Sequence, residues 1–447
     1  MTVRHAIVPA YIVLCLTLGG ASAAGFAANL LLQLLALPLI GWGLWTMRRE
    51  PPAGPVRTLL LLLTALLALC VVQLIPLPPA IWTLLPGRAP VVRGYELLGV
   101  ALPWLPLTLA PERALASLLW LLPAIATLLG VAVLGAFRAR WIAWSILAVA
   151  AVAVGLGALQ VVGGAYLYRV TNYGVAVGFF ANANHNATLL LACIPLVAAL
   201  QVSLARRAKS RRNASAVTVL TVAAFAVIVV GLLTNLSLAG IGLCVPVSLV
   251  SYLAIVRGER PGRSWLGIAA ALLSVGAIAV IVAGPFGNNL VGQQHEHRED
   301  SRQVSFARTL SAAGEYLPFG SGVGSFLQVY HTQEPPTEVT RTFMNHAHSD
   351  WIELLLETGV PGMALAGVFL WWWISRARAI WRADEIDLFG RAACVVTGTV
   401  MVHSLVDYPL RTAALSAVFA ACLALMAGVR PYVRRSRMAS SSRHMSV

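Results

Sequence analysis

The chain has 447 residues, 59% of them hydrophobic and 11% charged, with a mean hydropathy of +0.79. That composition excludes a soluble globular domain and identifies a polytopic membrane protein. A net charge of +15 would suggest nucleic acid in a soluble chain. Here the basic residues sit in short loops between apolar runs, where they act as topology signals, and no nucleic-acid partner is expected.

The first apolar run, 6–24, follows Arg4 and His5 and ends in Ala21-Ser22-Ala23, a string similar to a signal-peptidase site. Another apolar run follows at once, so the segment is read as a span. Spans are then predicted at 26–46, closed by Arg48 and Arg49, and at 58–76. Residues 77–114 differ, with Leu77-Pro78-Pro79, Trp82, Pro86-Gly87-Arg88, Tyr95 and Trp104. Prolines break any spanning helix there, which predicts short helices lying at the membrane surface with their aromatic rings at headgroup level. The fourth and fifth spans are predicted at 115–136 and 142–162. The string Gly178-Phe179-Phe180-Ala181-Asn182-Ala183-Asn184-His185-Asn186 introduces a sixth at 187–204, and the basic run 206–212 closes it. The seventh, eighth and ninth fall at 215–233, 239–256 and 264–284. A long polar segment, 285–350, precedes the tenth at 351–375; the eleventh is 392–409 and the twelfth 412–429. The tail 430–447 is basic and serine-rich and is expected to be disordered. The expected fold is one all-α membrane domain over residues 1–447 with about twelve spans and no visible internal repeat.

Loops on alternate sides differ in charge. With the N-terminus inside, one set of loops and both tails hold 23 of the lysines and arginines, and the opposite set holds nine. The positive-inside rule therefore places both termini in the cytoplasm, and segments 77–114, 163–186 and 285–350 outside, which in a bacterium is the periplasm. Six of the nine histidines, among them His185, His331, His346 and His348, fall on that outer side. All six cysteines lie inside apolar runs with neither metal-ligand nor disulfide spacing.

The outer side carries the candidate chemistry. Asn345-His346-Ala347-His348-Ser349-Asp350 runs into an apolar helix, and Asp350 with Glu353 has the spacing of a capping box, which makes Asp350 the expected N-cap. His348 then lies at a helix N-terminus, where free N–H groups and the macrodipole favour a neutral imidazole and attract phosphate. That suits a general base acting on a phosphorylated substrate. The alternative is a set of polar residues at a membrane boundary, with Glu353 only a capping partner. His295 and His297 with nearby carboxylates are a weak metal signal, and a solvated charged loop is the simpler reading. Arg302 and Arg308 flank an apolar stretch of an amphipathic helix, as a solvated face, a headgroup contact or a guanidinium fork for a diphosphate. Pro318-Phe319-Gly320-Ser321-Gly322-Val323-Gly324-Ser325-Phe326 reads as a structured turn that matches no phosphate-loop pattern. His403, Asp407 and Arg411, four residues apart, would share one face at the outer end of the eleventh span.

Taken together, these strings resemble the O-antigen ligase and polymerase superfamily. His348-Ser349, nine further residues and then Gly359-Val360-Pro361-Gly362 is similar to its histidine motif, and the 318–326 turn, Phe180 to Asn184 and His403 to Pro409 are similar in kind and order. The resemblance spans about residues 160–411. It implies a metal-independent membrane glycosyltransferase of the GT-C type, without a cofactor, in the bacterial inner membrane. Such an enzyme takes a glycan from undecaprenyl diphosphate on the periplasmic face and transfers it to lipid A-core or another acceptor. The essential histidine corresponds to His348 and the diphosphate-binding arginine of the large loop to Arg302; His346, Asn345, Asp407 and Glu353 would support them. One departure is clear: the resembling chains often carry Ser-Arg at the start of the eighth span, and Ser237-Leu238 stands here. Arg308, Arg169 and Arg411 are the candidates to replace that arginine. A polymerase using the same donor shares the motif. A secondary transporter would instead place its polar groups near the bilayer midplane in repeated halves.

Overall fold

The computed structural model describes residues 3–23, 26–256, 302–336 and 344–430. The expected ninth span, His295, His297 and the tail beyond Arg430 lie outside these residues. The described residues are mostly helical: α1 Ile7–Leu18, α2 Ala27–Arg49, α3 Gly54–Val72, α4 Pro79–Trp82, α5 Ala89–Leu98, α6 Pro111–Trp120, α7 Leu122–Ala132 and α8 Ala139–Gly163 are followed by α9 Ala183–Ala205, α10 Arg211–Asn235 and α11 Leu238–Ser251. After the undescribed stretch come α12 Arg302–Tyr316, α13 Phe326–Thr332, α14 Asp350–Arg382, α15 Leu388–His403 and α16 Ala413–Met426. Two-residue strands, β1 Pro76–Leu77 and β2 Leu105–Pro106, pair antiparallel with Pro76 opposite Pro106.

Among the described residues, 8 helices are long and apolar enough to cross a membrane. They cover the second to eighth expected spans and the tenth. The first, eleventh and twelfth correspond to shorter apolar helices, Val3–Leu18, Leu388–His403 and Ala413–Met426. The eleventh does not run to 409 as expected. Pro409 has no N–H for a continuing helix, and residues 404–408 form a turn instead.

α9 is the central helix: 78% of its apolar window is buried, against 11% for α3 and 17% each for α2 and α10. It is apolar on every side, as an enclosed membrane helix must be, and packs against α8, α10, α11 and α15. The two ends of the bundle differ. At one end Ala181 N–H donates to the Gly20 carbonyl, Ala414 N–H to Gly19, and Asn345 Nδ2 reaches Ser22 Oγ. At the other, Arg4 donates to the Leu134 carbonyl, Arg376 to Met426 and Arg391 to Ala254. Four arginines stack on tryptophan rings at the second end: Arg4 on Trp42, Arg49 on Trp45, Arg138 on Trp141 and Arg391 on Trp381.

At the first end, residues 77–114 fold as the short helices α4 and α5, joined through β1 and β2 and leading into α6. Trp82, expected at the surface, is fully buried and donates from its indole to the Pro103 carbonyl. Tyr95 is half-buried, and Trp104 is 64% exposed. The segment packs on the polar region that follows: Leu109 N–H donates to Ser321, Thr108 Oγ1 to the Val323 carbonyl, and the buried Arg88 lies beside Tyr316.

The tenth span is broken. Gly359 adopts φ 58° and ψ −149° inside α14. Pro361 has no N–H, and its ring would crowd the carbonyl of Glu357, so the helix ladder cannot close there. Non-helical backbone within a membrane bundle must find partners in the protein. The 318–324 turn supplies them. Ser321 N–H donates to the Leu356 carbonyl at 2.8 Å, Gly322 N–H to Glu357 at 2.9 Å, and Val360 N–H to Pro318 at 2.8 Å. Gln73 ties the pair to α3, donating from Nε2 to the Glu357 carbonyl at 3.2 Å and accepting Val323 N–H at 2.9 Å. The approach is so close that a Cβ at Gly320 would lie 2.7 Å from the Glu357 backbone and the Gly359 nitrogen. The glycine turn and the Gly-Val-Pro-Gly string are two halves of one joint.

Gly320 also has φ +80°, so Gly320→Ala is strained as well as obstructed. It should lower stability by roughly 2–4 kcal/mol, read as a fall in thermal midpoint of the purified protein. Gly367→Ala, where nothing lies within 4 Å of the new methyl, should leave the midpoint unchanged. Equal midpoints for the two variants would refute the interlocked joint.

Candidate functional site

The histidine string and the turn after α15 are sewn together. Ser349, rather than Asp350, caps α14, its hydroxyl accepting Ile352 N–H at 3.4 Å. Asp350 is drawn into the helix as its first residue because its N–H is directed at the Ser404 and Asp407 carbonyls, 3.0 and 3.2 Å away. Ser404 Oγ answers with a bond to Asp350 Oδ2 at 2.8 Å, and Ser349 Oγ donates to the Ser404 carbonyl. No capping box forms. Glu353 turns back past the cap, accepting Ala347 N–H at 2.9 Å and meeting His346 Nδ1 at 2.9 Å.

His403, Asp407 and Arg411 do not share a helix face as expected, because α15 ends at His403. The turn sends them to three places. His403 Nδ1 meets Thr188 Oγ1 of α9 at 2.8 Å. Asp407 is fully buried, with Oδ1 3.6 Å from His348 Nδ1 and Oδ2 3.6 Å from His185 Nε2. The Tyr408 ring lies among three imidazoles, its centroid 4.9 Å from His185, 4.6 Å from His346 and 5.1 Å from His348. Its hydroxyl donates to Asn345 Oδ1 at 3.4 Å and also meets Asn182. Burial, and then the Asp407 charge, push that phenol above its ordinary range.

His348 has φ 52°, a left-handed conformation rarely taken by a residue with a Cβ. Its Nδ1 edge is turned inward to Asp407, while 24% of the side chain stays exposed. The buried carboxylate favours the Nδ1–H tautomer, which leaves Nε2 as the proton acceptor.

Below the histidines lies a carboxylate cluster. Asp350, Glu353 and Glu357 project from one face of the first turns of α14. Arg411 takes all three: Nε is 3.6 Å from Asp350 Oδ1, and Nη2 is 3.4 Å from Glu353 Oε1 and 3.2 Å from Glu357 Oε2. Glu357 Oε1 also accepts Gly324 N–H at 2.8 Å, joining the cluster to the glycine turn. Burial works against the Arg411 charge, but the three carboxylates outweigh it and hold the guanidinium pKa above its usual value. Arg411, expected to meet a diphosphate, thus has its contacts on carboxylates.

The other candidate arginines lie apart. Arg302 opens α12, which packs on α14, but its side chain is outside the described residues. Arg308, one and a half turns on, meets the Tyr330 hydroxyl of α13. Arg169 is exposed between α8 and α9, its backbone carbonyl accepting from the Tyr173 hydroxyl. Leu238 is the first residue of α11, half-buried beside the N-cap Ser237, whose hydroxyl donates to Asn184 Oδ1 at 2.7 Å. Among the described residues no group of three or more His, Cys, Asp or Glu side chains is placed to hold a metal ion.

The sequence candidates omitted His185, Tyr408, Asp350 and Glu357 from the site. For His185 a signal existed: Asn182-Ala183-Asn184-His185 stands before a span much as Asn345-His346-Ala347-His348 does.

The Arg411 cluster makes a testable case. Arg411→Leu leaves the buried Glu353 and Glu357 and the partly buried Asp350 without their cation and should cost about 3–5 kcal/mol. Adding Glu353→Gln and Glu357→Gln should recover much of that loss in thermal midpoint. A triple variant no more stable than Arg411→Leu alone would contradict the charge assignment.

In comparison with known proteins, a family model described as O-antigen ligase matches residues 221–367. No curated protein matches the chain. The matched stretch contains the glycine turn, His346, His348 and the break at Gly359. His185, Asp407, Tyr408 and Arg411 lie outside it, brought to the site by the fold.

Proposed function

From the match over residues 221–367, which supports membership of the O-antigen ligase and polymerase superfamily, we propose that this chain is an O-antigen ligase-like glycosyltransferase of the bacterial inner membrane. It takes a glycan from undecaprenyl diphosphate and gives it to lipid A-core or a similar acceptor on the periplasmic face. Both termini are cytoplasmic, as the loop charges indicate. The observation that carries the reading is His348, half open at the end of the bundle, with the buried Asp407 behind its Nδ1.

The chemistry follows from that placement. The acceptor hydroxyl attacks the anomeric carbon and its proton passes to His348 Nε2. The bond from that carbon to the diphosphate oxygen breaks, and undecaprenyl diphosphate leaves. Asp407 orients the imidazole and stabilises the imidazolium once formed. The 3.6 Å separation is loose, as ligand-free catalytic pairs commonly are. The leaving diphosphate needs fixed positive charge. Arg302 and Arg308 on α12 are the proposed ligands, with Arg169 as a further candidate from the opposite loop. Arg411 serves by holding Glu353 and, through it, His346. Asn345 fixes the Tyr408 hydroxyl. No step calls for a metal or a cofactor.

Ionisable groups gathered at one end of the bundle support an enzyme over a transporter, which places them near the midplane. Ligase is favoured over polymerase by the exposed apolar surface of residues 77–114, where Leu84 is 82%, Leu97 79% and Leu98 76% exposed. Such a surface suits a bilayer-resting acceptor.

The purified protein should be given undecaprenyl-diphosphate glycan with and without lipid A-core. A ligase leaves the donor unelongated and makes one transfer per acceptor. A ladder of lengthened lipid-linked glycans without lipid A-core would establish a polymerase instead. In the same assay Arg302→Lys keeps the charge but loses the bidentate fork, and should use donor poorly. Unchanged donor binding and turnover in Arg302→Ala would remove Arg302 from the site.

A further inference from the structure

At the end of the bundle opposite the histidines, the C-terminal ends of α2, α7 and α16 surround a cavity of about 500 Å³. Arg4, Trp42, Trp45, Arg49, Glu50 and Arg430 line it. These arginines come from the start of the chain, the end of α2 and the segment after α16, so the fold assembles the site. Two are held on aromatic faces one turn apart on α2. The Arg4 guanidinium is 5.0 Å from the Trp42 ring centroid and that of Arg49 is 3.9 Å from Trp45. Stacking fixes each charge; the Arg4 guanidinium edge also donates to the Leu134 carbonyl.

The charge balance points to an anion. Three guanidiniums face one carboxylate, Glu50, among the described residues lining the cavity. Helix carbonyl ends absorb part of the excess, and Arg4 already donates to the Leu134 carbonyl. Arg49 and Arg430, both exposed, carry the remainder. Both line the one cavity with a single carboxylate, so an anion placed there would gain from both.

The position points to a lipid. Arg–Trp pairs crowd this end of the bundle, at the level where amphipathic rings meet headgroups. Trp45 is 53% exposed on the outer face of α2, and Leu30, Leu34 and Leu37, each at least half exposed, continue that face at helical spacing. Gly41 leaves open space between them and Trp45. A headgroup in the cavity would lay its acyl chains along this leucine stripe.

We propose that the cavity formed by Arg4, Arg49 and Arg430 over Trp42 and Trp45 binds the phosphate of an anionic phospholipid, whose acyl chains lie along α2. The site is remote from His348 and independent of the glycan-transfer reading. Basic pockets between membrane helices recognise headgroups by this chemistry.

The test is native mass spectrometry of the full chain released from nanodiscs of phosphatidylglycerol and phosphatidylcholine in equal amounts. The wild type should retain phosphatidylglycerol in preference to phosphatidylcholine, and Arg49→Ala with Arg430→Ala should weaken retention at least about tenfold. Excess inorganic phosphate should not displace the lipid. Equal retention of the two lipids, or undiminished retention by the double variant, would overturn the proposal. Displacement by inorganic phosphate would also overturn it, in favour of a free-anion site. Should the double variant fail to fold, Arg430→Ala alone, at an exposed position after the last helix, gives the same decision by competition.

Discussion

The site depends on a break in the backbone that the bundle must make good. Pro361 and Gly359 stop the α14 ladder where Glu357, Thr358 and Gly359 are buried, and the freed groups need partners in the protein. The 318–324 turn satisfies them through Ser321, Gly322 and Pro318, so this polar turn is fastened to the membrane helices by main-chain bonds. Side chains can vary around such a joint, but the glycines cannot. It sets the first two turns of α14 apart from the long lipid-facing remainder. Those turns carry Asp350, Glu353 and Glu357, and their N-terminus carries His348.

A polar seam rests on this joint. Asp350 N–H bonds to the carbonyls after α15, and Arg411 closes over three carboxylates of α14. The arrangement is costly, since buried charge survives only where partners are well placed. In return it fixes the turn that presents Asp407 and Tyr408 to the histidines. His185 enters from α9, the most buried of the eight membrane-length helices described, so the imidazole cluster is backed by a close-packed part of the bundle.

Much of this was legible in the sequence and some was not. The eight membrane-length helices were legible as apolar runs, because the membrane imposes a length rule that single segments display. The prominence of His348 follows from a polar string at a helix start. The tenth span was expected to run unbroken over 351–375, with Gly-Val-Pro-Gly only part of a motif, and the 318–326 turn was read only as a turn, since pairing across an intervening segment leaves no local mark. The expected helix face of His403, Asp407 and Arg411 failed at Pro409, whose effect on the preceding residues outweighs a four-residue spacing. Trp82 was assigned to the surface by its type, whereas its indole found the Pro103 carbonyl inside. Arg411 looked like an anion ligand because its three carboxylates are remote from it in sequence.

The central claim is that His348 takes the acceptor proton. Its most direct test is single-turnover glycan transfer by purified His348→Ala, with donor and acceptor saturating and folding verified by thermal midpoint. The account predicts that donor still binds while the transfer step slows by about 10²- to 10⁴-fold. Transfer at the wild-type rate in the folded variant would contradict it.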